Sequence, residues 1–153
     1  MSRRGSGQAD QVRAHDHVLG YLLKHAHLAL EQRTNAALAD LDLTVRDLGV
    51  LRVIAGREAQ SQQEVATVLG VDRTSMVALL DALERRRIVA RKSSAQDRRR
   101  NVVELTQHGW ALFQQAEDRS TEAERAFASV LGDAGAAELH RALRAVLGAN
   151  GAT

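Results

Sequence analysis

The sequence predicts a mainly α-helical protein with one small two-stranded β element. Three observations lead to that reading. The 153 residues contain no proline and only 3% aromatic residues, a composition poor in strand-forming side chains. Apolar residues recur at helical spacing near both ends, as in Leu19, Leu22, Leu23 and Ala26, or Leu139, Leu143, Val146 and Leu147. Between residues 88 and 105, two short β-branched runs flank a polar tip. The length suits one domain, or two small ones sharing a core, and 44% apolar with 26% charged residues is an ordinary globular balance. No apolar run approaches the roughly 18 residues of a membrane span. Residues 1–8 lack the apolar centre of a secretion leader, so a cytoplasmic setting without a membrane partner is expected. The absence of cysteine excludes disulfides, thiol switches and cysteine-held zinc or iron–sulfur centres.

Taken in order, residues 1–8 read as a disordered or extended arm and residues 9–41 as a first helix. At some 30 residues that helix would reach about 45 Å, more than a small domain needs, and so should pack against something beyond its own core. Asp40 and Asp42 bracket the Leu-rich bend that ends it. Thr44, with Asp47 in the first turn, caps a second helix running through Leu48, Leu51, Val53 and Ile54 to Gly56. Ser61-Gln-Gln-Glu64 is a capping box that opens a short helix over 62–69. Gly70 supplies the left-handed stop, and Asp72 caps a helix over 73–86. Two such helices joined by Gly70-Val71-Asp72 form a helix-turn-helix pattern.

The strand-like runs from Ile88 to Lys92 and from Val102 to Leu105 follow directly, around a loop that holds Arg98, Arg99 and Arg100. A hairpin in that position makes a wing. From Thr106 another long helix is expected, with Ala111, Leu112, Ala116, Ala123, Phe127, Val130 and Leu131 buried. Gly132 breaks it, and a last helix covers 133–147. Apolar faces left over at both ends argue for an intertwined homodimer. The organisation expected is therefore a winged helix-turn-helix over 44–105 and a helical dimerisation region over 9–41 and 106–148.

Charge is unevenly placed. Residues 71–101 hold nine basic and four acidic side chains, a balance of +5 within a chain whose net charge is +2. Of the 21 cationic residues 19 are Arg, whose fork suits phosphate and base edges. A basic segment of this kind points to a polyanion, double-stranded DNA first, with a merely solvated charged surface as the alternative. Rotating about 100° per residue from Arg73 puts Met76, Leu79, Leu80 and Leu83 on one side of the helix. Thr74, Ser75, Ala78, Ala82 and Arg85 fall on the other, the face offered to a major groove. Thr74 and Ser75 reach base edges or phosphate, or else solvate the helix start; Ala78 suits a thymine methyl; Arg73 meets phosphate or guanine. Gln62 and Gln63 open the first helix of the motif, where amides meet phosphate, or are plain exposed polar residues.

Several of these stretches together resemble the multiple-antibiotic-resistance regulator (MarR) family of bacterial winged-helix repressors. They are Leu43-Thr44, Leu51, Gln63-Glu64-Val65-Ala66, Gly70-Val71-Asp72-Arg73-Thr74-Ser75, Leu83-Glu84, Arg91, and Asp97-Arg98-Arg99 through Leu105-Thr106 to Gly109. The resemblance spans about residues 18–147. It implies that Arg99 enters a minor groove, where a narrow A·T-rich stretch deepens the negative potential. Asp97 then orients an Arg rather than meeting DNA. It also implies a pocket for a small-molecule effector, often an aromatic acid, between the dimerisation helices and the winged domain. His25, His27, Arg46 and Arg52 are the anion partners considered there. Two positions depart from the family pattern: Arg87 replaces the usual Gly ahead of Ile88-Val89, and Ala78 stands where a long polar side chain is common.

Other chemistries find less support. His15, His17, His25 and His27 lie on the first helix, but no pair has the i, i+3 or i, i+4 spacing of helical chelation, so no metal and no cofactor are expected. No Gly-rich turn supports a Ser/His/Asp nucleophile, so an enzyme is not expected. The sequence reads as a dimeric, sequence-specific DNA-binding regulator, a repressor relieved by a small molecule and bound to an inverted-repeat operator. The alternative is a metal- or ligand-binding helical protein whose basic segment is not a DNA reader.

Overall fold

The computed structural model describes residues 18–56, 60–93 and 101–151. The arm over 1–8, His15, His17, Asp97, Arg98, Arg99 and Arg100 all lie outside the described residues. Helix α1 runs Leu19–Leu38 and tightens into a 3-10 turn, Ala39–Leu41. Asp42 then reverses the chain with φ +53°, a left-handed conformation that Asp tolerates better than most residues. Helix α2, Val45–Ala55, starts in a reciprocal cap: the Thr44 N–H donates to Asp47 Oδ2 at 2.8 Å and the Asp47 N–H donates to Thr44 Oγ1 at 3.2 Å. Its face of Leu48, Val50, Leu51 and Ile54 is buried.

Strand β1 (Gln60–Ser61) leads into helix α3 (Gln62–Leu69), and helix α4 is Arg73–Arg85. Strands β2 (Val89–Ser93) and β3 (Asn101–Leu105) pair antiparallel, with Val89 opposite Leu105 and Ser93 opposite Asn101. This is the expected hairpin. β1 adds a short third strand on the far side of β3, so the sheet order is β1-β3-β2. Two residues are too few to carry an alternating pattern, which hides β1 in the sequence.

Helix α5 (Gln107–Ala128) continues into a 3-10 turn, Ser129–Leu131, and helix α6 is Gly132–Ala149. Leu112, Ala116 and Ala123 are buried as expected, but Ala111, Val130 and Leu131 are exposed. The 3-10 turn breaks the 3.6-residue period, so Val130 and Leu131 leave the buried stripe. The core joins α2, α3, α4 and the sheet through Leu51, Val65, Met76, Leu80, Leu83, Ile88 and Val103, each nearly inaccessible, and α5 adds Leu112 and Ala116. Burying each such large side chain stabilises the fold by about 1.5–3 kcal/mol. None of the residues of α6 is buried.

Candidate nucleic-acid interface

The α3–α4 unit is held by local chemistry that the sequence specifies. The Ser61 N–H donates to Glu64 Oε2 at 2.7 Å, and Ser61 Oγ accepts from the Glu64 N–H at 3.3 Å. Gly70 ends α3 at φ +62°, and the Val71 N–H reaches back to the Ala66 carbonyl at 3.0 Å. Asp72 Oδ1 accepts the Ser75 N–H at 2.9 Å and so starts α4. Hydrogen bonds from Ser75 hold the Asp72 carboxyl below its ordinary range, so the cap stays ionised at neutral pH.

Helix α4 buries Met76, Leu80 and Leu83 against the core, with Leu79 partly buried beside them. Arg73, Thr74, Ala78 and Arg85 are exposed on the other side, and Ser75 and Ala82 are half-buried. Gln63 is exposed and Gln62 half-buried at the start of α3. Arg73, Arg85 and Arg87 form no ion pair with another described residue.

The other described cations of the segment, Arg86, Arg91 and Lys92, are committed inside the fold, which a count of charges could not reveal. Arg86 donates to the carbonyls of Asp42 at 2.6 Å and Leu41 at 3.1 Å, tying the end of α4 to the bend after α1. Lys92 pairs with Glu104 across the hairpin at 2.8 Å. Arg91 pairs with Asp81 at 2.6 Å and, more closely, with Glu84. Burial opposes the Arg91 charge, but the hydrogen bonds it donates to Asp81 and Glu84 outweigh that and hold the guanidinium protonated.

Arg87 takes the left-handed conformation expected of it, at φ +57°. Its carbonyl accepts from Thr106 Oγ1 at 2.6 Å, and the Thr106 N–H donates to the Ile88 carbonyl at 3.0 Å. The same carbonyl explains Gly109, where an added Cβ would fall 1.9 Å from the Ile88 oxygen. The turn after α4 is therefore bonded straight onto the start of α5.

The four residues considered for an effector do not converge. Arg52 is taken up by Glu117, at 2.6 Å and 3.2 Å, and by Ser120 Oγ at 3.2 Å, joining α2 to α5. His25 lies against the Tyr21 ring, with centroids 4.1 Å apart, and Arg46 is exposed. His27 alone of the four lines an apolar cleft of about 300 Å³ between α1, α5 and α6, with Leu30, Phe127, His140 and Leu143. That cleft is away from the winged domain. Among the described residues no group of three His, Asp or Glu side chains is arranged to hold a metal ion.

A capped helix pair with a glycine turn, a polar exposed face on its second helix and a hairpin directly behind it defines a winged helix-turn-helix protein. The chain belongs to the MarR family. Residues 41–100 match the sequence model described as MarR family. The chain is 35% identical over 104 residues to an HTH-type transcriptional repressor of Mycobacterium tuberculosis, covering 68% of this chain and 75% of the relative. Among solved structures it is similar to the transcriptional repressor CouR bound to a 23-mer DNA duplex, at 31% identity and TM-score 0.77, covering 95% of this chain and 99% of that one. It is also similar to a Mycobacterium tuberculosis MarR family protein in complex with DNA, at 29% identity and TM-score 0.76, covering 86% of this chain and 98% of that one. No helix among the described residues is long and apolar enough to cross a membrane.

Proposed function

We propose that this protein is a homodimeric, sequence-specific regulator of transcription that binds double-stranded DNA as a repressor and is released by a small molecule. The observation that carries the reading is the exposed face of α4. Arg73, Thr74, Ala78 and Arg85 stand free there on a helix whose opposite side is locked into the core. In this reading Arg73, Thr74, Ser75, Ala78 and Arg85 meet the major groove, while Gln62 and Gln63 meet phosphate. Arg98, Arg99 and Arg100 belong to the wing, with Arg99 in the minor groove and Asp97 orienting it. The protein is not an enzyme, needs no cofactor and works in the cytoplasm. The DNA-bound relatives support this use of the fold.

Two recognition helices related by a two-fold axis face the same side of a duplex where major grooves recur about every 34–36 Å. The operator is then an inverted repeat with half-site centres about 10 base pairs apart. Effector binding has only to change the separation of the two helices to prevent both from docking. Duplex selection from random-sequence DNA, followed by footprinting and a salt series, tests the proposal. The expected result is a two-fold symmetric footprint and an affinity that falls steeply with salt. Protection of a lone asymmetric half-site would contradict the dimeric mechanism, and salt-independent failure to bind any duplex would favour a ligand-binding helical protein.

A further inference from the structure

Three elements of the winged domain meet at one side chain. Arg91, on β2, donates from Nη2 to Asp81 Oδ1 at 2.6 Å on α4 and to Gln62 Oε1 at 3.2 Å on α3. Its Nη1 donates to Glu84, and its backbone N–H donates to Glu84 Oε1 at 3.1 Å. Asp81 and Glu84 line a shallow concavity on α4 together with Ala78 and Arg85, two of the residues proposed to meet DNA. Two carboxylates therefore sit on the surface that would face a duplex carrying one negative charge per about 1.7 Å of its axis. Unmasked, they would repel it. The Arg91 side chain is only 23% exposed, so its charge is spent on these partners and not on DNA.

We infer that Arg91 is a positioning residue for DNA recognition: it masks Asp81 and Glu84 on the recognition helix, fixes the base of the wing to that helix, and orients the Gln62 amide. Because Gln62 Oε1 accepts from Arg91, the amide NH2 is the end left to donate to phosphate. A wing anchored this way keeps a fixed distance from α4, which sets the spacing between the groove contacts of the two elements. The inference rests on the regulator reading above.

The test uses the full-length protein on two probes, a duplex selected by the wild type and a random-sequence duplex. If the wild type selects no duplex and binds neither probe, the regulator reading itself fails. Arg91→Ala is expected to weaken binding to both probes by about tenfold, as for loss of a contact residue. Neutralising the carboxylates as well, in Arg91→Ala/Asp81→Asn/Glu84→Gln, is expected to return random-duplex affinity to within about threefold of wild type, since the repulsion is gone. Affinity for the selected duplex stays low, because the wing is still untied from α4. Unchanged binding of Arg91→Ala to the selected duplex would overturn the inference, as would a triple variant no better than Arg91→Ala on the random one. If Arg91→Ala does not fold, Asp81→Asn/Glu84→Gln carries the test with Arg91 in place. That variant should bind the random duplex more tightly and discriminate less between the probes, and an unchanged ratio of the two affinities would overturn the inference.

Discussion

Arg87 holds a backbone angle, φ +57°, that a residue with a Cβ adopts only under constraint. The constraint is visible: its carbonyl and that of Ile88 are both engaged by Thr106. Arg87→Gly should therefore raise stability by up to about 1 kcal/mol, with the extra freedom of Gly in the unfolded chain offsetting part of the gain. Urea unfolding midpoints of the two proteins check this, and a lower midpoint for the Gly variant would contradict it. Gly109 is the opposite case. A methyl group placed 1.9 Å from the Ile88 oxygen forces α5 away from the turn, so Gly109→Ala should destabilise by about 1–3 kcal/mol in the same assay. The sequence announced the strain at Arg87, because a known glycine position was filled by another residue. It was silent on the Arg91 cluster. Charges seven and ten residues apart meet only after a helix and a strand have been placed side by side.

At the scale of elements, the caps made the helices legible. Thr44, Ser61, Asp72 and Thr106 each accept a backbone N–H in the first turn of the helix that follows, so a polar residue at the right spacing marked each boundary. β1 escaped notice because its two residues are defined only by pairing with β3. The cap of α4 also gives a pH dependence. The Asp72 carboxyl titrates below its ordinary value of 3.8, so its contribution to stability is fully present above that pH and is lost as the pH falls through the lowered value. Asp72→Ala should be less stable than wild type at neutral pH and should lose less on acidification between pH 5 and about 2. Equal slopes of stability against pH in the two proteins would show that the cap is not the group responsible.

The surplus of apolar surface is a property of the whole molecule. Leu139, Leu143, Val146 and Leu147 on α6 are all exposed, and so are Leu19, Leu22 and Leu23 on α1. The exposure matches the surplus of apolar helical spacing in the sequence, which does not depend on a partner being present; that a second copy covers it is the proposal tested next. Of the residues named for an effector, the single chain engages Arg52 with Glu117 and sets His27 at the apolar cleft among α1, α5 and α6, pairings that no spacing in the sequence announces. Sedimentation at micromolar concentration should show a particle near twice 16.7 kDa. Leu139→Asp/Leu143→Asp should yield the single chain, with the winged part still folded, and a dimer that survives both substitutions would place the interface elsewhere. The bare state of α6 has one more consequence. If a second copy covers α6, none of whose residues is fully enclosed by its own chain, the helix gains stability by mass action, and an unpaired copy would offer it to cellular proteases. Dilute chains would then be cleared and paired ones persist, and the lifetime of the protein would depend on its own abundance.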